Sequence, residues 1–404
     1  MLSTDHAQTI RATLPAVIEH GTEITAAFYD AMFTAHPELR NMFNQGNQAN
    51  GEQRQALAGS VAAFARRIAH EDGAEAASVQ LLLSRIAHKH ASLAVRPEQY
   101  TIVGRHLLEA VKTVLGPAVT PEVHAAWSEV YWLFATLLIA EEARLYREAE
   151  TTPADLFRPW RVVERRPEVE DVLSFVLSPA DGGGVPGYRP GQYVSVAVTL
   201  PDGLRQPRQY TLSRVPSDGT VQITVRRVRG EGGAPDGAVS TYLHENVAEG
   251  DVLELSPPFG DLVLDDDTDP LILVSAGIGI TPVAAMIDHL AAVSPDRRVL
   301  ALHADRSPAA HALRDQIAAA ARRMPELRRI TWYEEPDGAD TAAEEIRAGL
   351  MDVSGLSLPE KARVYMCGPI PFMRDVRRGL LDAGISDERI HYEVFGPDLW
   401  QQAG

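Results

Sequence analysis

The periodicity of the apolar residues changes twice along the chain, and these changes limit the fold more than any other feature. From the start to about Glu150, apolar residues recur at spacings of three and four, as in Val61, Phe64 and Ile68. This spacing is typical of amphipathic helices. The sequence therefore predicts an all-α first domain, with its last helix beginning near Pro121.

A period of two replaces the helical spacing after the acidic segment EAETTPADLFRP (148–159). Val221, Ile223 and Val225 alternate with polar residues, and similar short runs are separated by the turns DGGG, PDG and SDGT. Short alternating strands between such turns indicate an antiparallel barrel or sandwich.

A third pattern follows the acidic turn DDDTDP (265–270), where apolar strands alternate with helical stretches. This order is typical of a parallel sheet covered by helices. We therefore expect a multidomain chain. The expected parts are an all-α domain over 1–148, a linker over 149–157, an antiparallel β-barrel over 158–265 and an α/β domain with a parallel sheet over 266–404.

Charge and cysteine content exclude several classes of site. The chain has 38 basic and 55 acidic residues, and its net charge of −17 disfavours a nucleic-acid-binding face or an anionic membrane surface. Cys367 is the single cysteine, so one chain cannot form a disulfide framework, a zinc site or a four-cysteine iron–sulfur cluster. The apolar run at 131–140 is too short to span a membrane, and the N-terminus lacks a secretory pattern. We expect a cytoplasmic protein.

Two glycine-containing turns follow strands of the predicted parallel sheet. LVSAGIGITP places Gly277 and Gly279 directly after a buried strand, where backbone amides can approach a pyrophosphate. YMCGPIPFM places a Gly–Pro turn after another strand. Because ligands bind at the carboxyl ends of such strands, the two turns together predict a nucleotide site. Cys367 is either close to a bound nicotinamide or a small buried residue at the end of its strand.

Polar and aromatic residues among the barrel strands are suited to a flat, phosphorylated ligand. In RQYTLSR, Arg208 can hold a phosphate, Tyr210 can pack on a ring and Thr211 can bond to its edge. In DGAVSTYL, Ser240 is expected at a helix start that suits a diphosphate. For each residue taken singly, a purely structural role is favoured.

The segment LLLSRIAHKHASL contains two histidines two positions apart, which point in different directions on a helix. His90 shares a face with Leu82 and Ile86, whereas His88 is expected on the polar side beside Arg85 and Ser92. A lone histidine on an apolar face is either a hydrogen-bonded core residue or a ligand.

The ordered motifs resemble the ferredoxin–NADP reductase superfamily over about 240 residues, and the whole chain resembles the flavohaemoglobins. RQYT, GAVS, GIGITP, CGP and HYEVFGP match the flavin, diphosphate, nucleotide and C-terminal motifs. FYDAMF (28–33), PELRNMF (37–43) and AHKH match the globin part. The resemblance implies haem b, FAD and NADH or NADPH as cofactors, nitric oxide and dioxygen as substrates, and no obligatory protein partner.

The resemblance also implies a role for particular residues of the globin part. His90 matches the proximal iron ligand, preceded by Lys89, and the pair that polarises it matches Tyr100 and Glu142. The remaining haem-pocket positions match Tyr29, which would bond to dioxygen, Phe43, which would pack on the haem, and Gln53 and Leu57, which would lie over the iron.

The reductase motifs imply a second set of binding residues. Those matching the FAD site are Tyr188, Arg208, Gln209, Tyr210, Thr211, Gly237, Val239 and Ser240. Those matching the nucleotide site are Gly277, Ile278, Gly279, Ile280, Thr281, Pro282, Cys367, Gly368 and Pro369. The C-terminal motif, which would place the aromatic ring of Phe395 against the flavin, comprises Glu393, Val394, Phe395, Gly396 and Pro397.

Three positions depart from the family pattern and affect contacts to the nucleotide. Ile280 stands where relatives often have glutamine, Pro371 where they often have glycine, and Val394 where they often have cysteine. The nucleotide preference stays open, because Asp305 suits a ribose 2′-hydroxyl and the neighbouring Arg306 suits a 2′-phosphate.

The function implied is electron transfer from NAD(P)H through FAD to haem iron on His90, with oxidation of nitric oxide to nitrate by dioxygen. Two alternatives remain. One is a flavin-dependent reductase or oxidase acting on ferric, quinone or lipid substrates. The other is an oxygen or nitric oxide carrier or sensor whose reductase only keeps the iron ferrous.

Overall fold

The computed structural model describes residues 2–42, 52–69, 76–230, 232, 234–338 and 345–396. Two of the expected binding residues, Phe43 and Pro397, lie outside these ranges. The chain divides into two compact units, which are described separately. One comprises residues 1–156, 201–207 and 396–404, and the other comprises residues 157–200 and 208–395.

The first unit is helical, as the three- and four-residue spacing predicts. Its described helices bury apolar residues at these spacings, such as Ile10, Leu14 and Val17 in the first helix. The helices are α1 (Thr4–Glu19), α2 (Gly21–Ala35), α3 (Glu52–Ala69), α4 (Ala76–Ala91), α5 (Pro97–Leu115) and α6 (Pro121–Glu148), with a 3-10 turn at Pro37–Met42.

The longest described helix, α6, forms the core of this unit. It begins at Pro121, as predicted, where the Thr120 hydroxyl accepts a hydrogen bond from the Val123 amide. By length and composition α6 is apolar enough to cross a membrane. However, its face bearing Trp127, Phe134 and other apolar residues is buried, and the helix packs against α1, α4 and α5. These contacts are those of a core helix.

A glycine in α5 permits the closest of these helix contacts. A Cβ atom on Gly104 would lie 2.3 Å from the ring of Tyr131, which is on α6. The Tyr131 hydroxyl in turn donates a 2.5 Å hydrogen bond to the carbonyl oxygen of Tyr100, one turn before Gly104. The missing side chain therefore lets Tyr131 reach the backbone of α5.

The barrel strands are antiparallel and lie in the order β4-β3-β6-β1-β2-β5. An isolated bridge between Leu212 and Ile223 joins the chain after β4 to β5, so the sheet closes on itself. This confirms the predicted antiparallel barrel. The strands are β1 (Arg158–Val169), β2 (Val172–Pro179), β3 (Tyr193–Thr199), β4 (Arg205–Thr211), β5 (Val221–Arg226) and β6 (Val252–Leu255), and helix α7 (Ala238–Asn246) lies between β5 and β6.

The alternation in the sequence marks the face of each strand that fills the barrel. Val221, Ile223 and Val225 of β5 pack with Phe175 and Leu177 of β2 in one apolar cluster. The polar residues between them on the other face of β5, Gln222 and Thr224, are also buried. This second face is therefore covered by another part of the same unit.

The parallel sheet has the strand order β10-β9-β8-β7-β11-β12, as expected for an α/β domain. The order reverses beside β7, which is where such sheets place their ligands. The strands are β7 (Leu271–Ala276), β8 (Val299–Asp305), β9 (Leu327–Tyr333), β10 (Glu345–Ala348), β11 (Arg363–Cys367) and β12 (Ile390–Glu393). The helices are α8 (Ile280–Val293), α9 (Arg314–Ala321) and α10 (Ile370–Asp382). The strand pattern predicted β7, β8, β9 and β11, whereas the short edge strands β10 and β12 lack a long apolar run.

The acidic turn DDDTDP has a structural role at the start of this sheet. The guanidinium of Arg297, which is 7% exposed, donates to the carbonyl oxygens of Asp265 and Asp269 and to the carboxylate of Asp267. Arg363 pairs with the carboxylates of Asp265 and Asp267. A buried guanidinium needs partners of this kind, so the acidic run positions the chain entering β7.

Replacing Gly104 by alanine should destabilise the helical unit. The added methyl group would overlap the Tyr131 ring, and overpacking of this kind costs about 1–3 kcal/mol. This exceeds the gain of about 1 kcal/mol that alanine brings to a helix interior. We expect a lower midpoint for the thermal transition followed by far-UV circular dichroism. Glu109→Ala, at an exposed position of the same helix, is the control. An unchanged or higher midpoint for Gly104→Ala would contradict this account.

Candidate functional site

The helical phase of α4 determines which of the two histidines faces the interior. Leu82, on the same face as His90, is buried, and the His90 side chain is one-third exposed. His88 is half-buried and lies near the carboxylate of Glu141. The prediction that Ser92 lies on the polar side is wrong. Its side chain is fully buried and donates to the carbonyl oxygen of Lys89, because the chain leaves the helix after Ala91.

The Nδ1 atom of His90 lies between two buried oxygens. It is 2.8 Å from the hydroxyl of Tyr100 and 2.9 Å from Oε1 of Glu142. The Tyr100 hydroxyl donates a 2.5 Å hydrogen bond to the same carboxylate oxygen. The structure therefore brings His90 together with Tyr100 and Glu142, the two residues that the family resemblance implies as its polarising pair.

These contacts determine which nitrogen of His90 carries the proton. Ionised Glu142 can only accept hydrogen bonds. The single proton of the Tyr100 hydroxyl is already donated in a hydrogen bond to Glu142, so this hydroxyl can only accept from Nδ1. Nδ1 must therefore be the protonated nitrogen, and Nε2 has a free lone pair. Within the described residues, Nε2 makes no hydrogen bond. This is the tautomer that a proximal histidine needs to bind haem iron.

The Glu142 carboxylate is only 2% exposed, so its charge depends on these two donors. Burial and the neighbouring Glu142 raise the pKa of Tyr100, and the phenol stays protonated as the donor.

Two further tyrosines, which no sequence motif marks as site residues, support this arrangement. Tyr131 donates to the carbonyl oxygen of Tyr100, and Tyr146 donates at 2.9 Å to the carbonyl oxygen of Val95. Both lie on α6 with Glu142. The spacing of 131, 142 and 146 along one helical face is the signal that could have identified them.

The expected distal residues lie on α2 and α3, which pack against each other. Tyr29 is 4% exposed and stacks on Phe33 with ring centroids 5.6 Å apart. Gln53 and Leu57 are half-buried near the start of α3. The Gln53 Oε1 atom is buried and has no hydrogen-bond partner within the described part of the chain. An unsatisfied buried acceptor fits a pocket that receives a polar ligand.

The expected flavin residues of the RQYT motif form the last four positions of β4. Thr211 is buried, while Arg208 and Tyr210 are half-buried, and burial lowers the pKa of Arg208 and raises that of Tyr210. The Gln209 amide donates to Ser195 at 2.8 Å, and the Tyr188 hydroxyl donates to the carbonyl oxygen of Leu212. A desolvated guanidinium beside an aromatic ring suits a phosphate next to a flat ring system.

The GAVS turn precedes helix α7. The Ser240 hydroxyl donates to the carbonyl oxygen of Gly237 and accepts from the amide of Val228. A Cβ atom on Gly237 would lie 2.8 Å from Cβ of Val228, so this turn requires glycine. Val239 is buried beneath the turn. Because the Ser240 side chain fixes the turn, the first-turn amides of α7 remain as the donors that suit a diphosphate.

The two nucleotide turns meet at the carboxyl ends of β7 and β11, as the sequence predicts. Gly277 has a φ of 51°, and a Cβ atom on Gly279 would lie 2.2 Å from the carbonyl oxygen of Cys367. Gly279 therefore cannot be replaced without moving one turn away from the other. Ile280, Thr281 and Pro282 are buried in the first turn of α8, where the Thr281 hydroxyl donates to the carbonyl oxygen of Ile278.

Cys367 ends β11 at 1% exposure, and burial raises the pKa of its thiol well above the usual range. Gly368 lies against the ring of Phe372, and Pro369 precedes α10. Glu393 on β12 is in register with Cys367 on β11. The segment continues through half-buried Val394 to Phe395 and Gly396, and the Phe395 ring is 49% exposed.

Residues at the ends of β5 and β8 bear on nucleotide binding. Nη1 of Arg226 lies 3.7 Å from the position of a Cβ on Gly277, a proximity that the alternation of β5 alone did not reveal. Asp305 turns inwards, where Oδ1 accepts from the Arg306 amide at 2.8 Å and Oδ2 lies 3.5 Å from Nε2 of His303. Arg306 is exposed.

Comparison with known families divides the chain as the periodicity does. A globin model matches residues 26–138. An oxidoreductase FAD-binding domain matches residues 159–263, and an oxidoreductase NAD-binding domain matches residues 273–378.

Relatives extend the match to the full chain. The flavohemoprotein of Rhizobium meliloti is 44% identical over 100% of both chains, and that of Chromobacterium violaceum is 43% identical over 98% of both chains. The flavohemoglobin structure from Malassezia yamatoensis, which holds FAD and heme, is similar with a TM-score of 0.87 and 36% identity over 98% of this chain and 100% of that one.

One solved structure matches the second unit in particular. The flavohem-like FAD/NAD-binding domain of nitric oxide dioxygenase from Vibrio cholerae covers 60% of this chain and 100% of its own. It does so with a TM-score of 0.55 and 38% identity. With these matches the chain belongs to the flavohaemoprotein family, a group of oxidoreductases that join a haem-binding globin to FAD- and NAD-binding domains.

Proposed function

We propose that this protein is a nitric oxide dioxygenase, which uses NAD(P)H and dioxygen to oxidise nitric oxide to nitrate. The observation that carries the proposal is the buried Glu142 carboxylate, which accepts hydrogen bonds from Tyr100 and from Nδ1 of His90. The nitric oxide dioxygenase domain from Vibrio cholerae supports the same assignment by its similarity to the reductase part.

Electron counting gives the stoichiometry that such a reaction must show. Oxidising nitric oxide to nitrate removes three electrons from nitrogen, whereas dioxygen takes up four. The missing electron comes from NAD(P)H, whose hydride carries two electrons. One NAD(P)H therefore supports the conversion of two nitric oxide and two dioxygen molecules. When bound, FAD accepts the hydride and releases single electrons, and haem iron exchanges them one at a time.

Glu142 and Tyr100 act on the ligand nitrogen of His90 through the opposite side of the ring. A carboxylate that accepts the Nδ1 proton increases the electron density of the imidazole, and Nε2 becomes a stronger donor. A strong proximal donor favours activation of dioxygen over reversible binding. This distinguishes the proposed enzyme from a carrier.

Tyr29 and Gln53 supply the polar groups of the proposed reaction pocket. The Tyr29 hydroxyl and the Gln53 amide are hydrogen-bond donors on α2 and α3, and such donors stabilise negative charge that develops on oxygen. Leu57, one turn after Gln53 on α3, adds an apolar wall that limits water. Phe43 is proposed to pack on the haem, and Lys89 precedes the ligand His90.

The reductase residues are proposed to deliver the electrons. The FAD set runs from Tyr188 through Thr211 to Ser240, and the nucleotide set is formed by the GIGITP and CGP turns. The segment from Glu393 to Phe395 is proposed to cover the flavin ring. The supply of NAD(P)H is consistent with a place of action in the cytoplasm.

The proposal is tested by nitric oxide consumption. Haem- and FAD-replete protein is mixed with nitric oxide and dioxygen, and with NADH or NADPH in separate assays. We expect catalytic loss of nitric oxide, with nitrate as the product and about two nitrate ions formed per NAD(P)H oxidised. Loss of only one equivalent per haem would indicate a carrier or sensor. Oxidation of NAD(P)H without nitrate, accelerated by ferric, quinone or lipid substrates, would indicate a reductase of other acceptors.

The substitution Glu142→Gln should slow nitric oxide turnover without releasing haem. Glutamine keeps the shape and can still accept a hydrogen bond, but it removes the negative charge that polarises His90. Changes in groups that orient a metal ligand typically cost about 10- to 100-fold in activity. Turnover per bound haem is measured together with the iron–histidine stretching frequency of the reduced protein, which should fall.

Glu141→Gln is the matched control, because this neighbouring carboxylate pairs with Arg144 instead of His90. It should leave turnover and the stretching frequency unchanged. If Glu142→Gln loses haem and activity in equal proportion, with no shift of the stretching frequency, Glu142 is only structural.

A further inference from the structure

A short segment directly follows the flavin motif RQYT and enters the interior of the second unit. Ser213, two residues after Thr211, is fully buried. Its amide donates to the carbonyl oxygen of Gln222, and the amide of Leu212 donates to the carbonyl oxygen of Gln192. The segment from Leu212 to Val215 is thus held from several sides.

The outer face of the barrel beside this segment is polar and buried. Gln222 and Thr224 of β5 are 1% and 3% exposed, although they point away from the barrel core formed by Val221, Ile223 and Val225. Side chains on the outer face of an antiparallel sheet are normally solvated. Here the nucleotide-binding part packs against this face, since Val172 of β2 belongs to the apolar cluster of the parallel sheet.

A glutamine on α9 forms hydrogen bonds both to this face and to the segment from Leu212 to Val215. The Gln316 amide nitrogen donates to the carbonyl oxygen of Ser213 at 2.7 Å, and its oxygen accepts from Nε2 of Gln222 at 3.0 Å. Nε2 of Gln222 also donates to the Ser213 hydroxyl at 3.0 Å, and Oε1 of Gln222 accepts from Arg166. Turning either amide over would set like atoms against each other, so the orientation of both is determined.

A second connection reaches the helix that begins at the nucleotide turn. The amide of Val215 donates to the Asp288 carboxylate at 3.2 Å. Asp288 lies on α8, whose first turn contains Ile280 and Pro282 of GIGITP. The five residues from Thr211 to Val215 therefore contact both helices that follow the nucleotide-binding strands β7 and β8.

Directional contacts of this kind determine register as well as stability. An apolar interface tolerates small sliding movements, whereas a satisfied buried hydrogen-bond network loses its partners when it slides. Hydride transfer is sensitive to such movement, because a misplacement of about 1 Å can cost up to about 100-fold in rate.

We infer that Gln316 is a positioning residue for hydride transfer. Through Ser213 and Gln222 it holds the nucleotide-binding strands and their turns in register with the flavin-binding residues at the end of β4. The inference depends on the FAD- and NAD-binding functions of the second unit and is independent of the nitric oxide reaction.

The test is the anaerobic reduction of bound flavin by NADH and by NADPH in rapid mixing, without nitric oxide or dioxygen. Gln316→Met keeps a similar volume and removes both hydrogen bonds. We expect the limiting rate of flavin reduction per bound FAD to fall about tenfold. FAD content and reduction by dithionite should stay unchanged, and the nucleotide concentration for half the limiting rate should change less than twofold.

Gln316→Glu distinguishes the two contacts, because it still accepts from Gln222 but no longer donates to the carbonyl oxygen of Ser213. It should also slow flavin reduction. Asp315→Asn, at the exposed neighbouring position of the same helix, is the control and should keep the full rate.

A full limiting rate in both Gln316 variants, with FAD bound, would overturn the inference. A loss of rate that only follows a loss of FAD or a lower unfolding midpoint would overturn it too. Failure of the nitric oxide assay would leave these flavin measurements unaffected, so the two proposals are separable.

Discussion

The buried charge of Glu142 is the constraint on which the proposed haem site depends. A carboxylate at 2% exposure is stable only if strong donors meet it, and the donors here are the Tyr100 hydroxyl and Nδ1 of His90. By accepting both hydrogen bonds, Glu142 keeps the proton of His90 on Nδ1 and leaves Nε2 without one. The electrostatic requirement of one buried group thereby specifies which nitrogen of His90, the proposed iron ligand, is protonated.

The reductase unit depends on close approach instead of buried charge. Gly279 and the carbonyl oxygen of Cys367 are so near that no side chain fits between them, and the two turns are therefore in contact. The same unit uses polar side chains where its barrel meets the parallel sheet, from Ser174 through Thr224 and Ser213 to Gln222. Glycine determines the distance between the two turns, and directional hydrogen bonds determine the register between the barrel and the parallel sheet.

Much of this architecture follows from the sequence, because periodicity reports which face of an element is buried. It predicts the helical unit, the short antiparallel strands of a barrel or sandwich, the parallel sheet and the inward direction of His90. The interpretation of Ser92 as a surface residue is wrong, because helical phase does not extend past the end of α4 at Ala91. The contacts of three further residues cannot be predicted from the sequence, because their partners are distant along the chain. These residues are Tyr131, Gln316 and Arg226. Contacts of this kind are created by the fold and leave no local pattern.

Three residues that support the site lie on the single helix α6, and this limits where the chain can gain or lose residues. Tyr131, Glu142 and Tyr146 face the same side because 11 and 4 residues correspond to nearly whole numbers of helical turns. One inserted or deleted residue between Tyr131 and Glu142 would rotate the two ends by about 100° relative to each other. The carboxylate would then turn away from His90 while Tyr131 kept its contact. Insertions and deletions are therefore compatible with this site in the loops that flank α6, such as the turn before Pro121, and are incompatible with it between these residues.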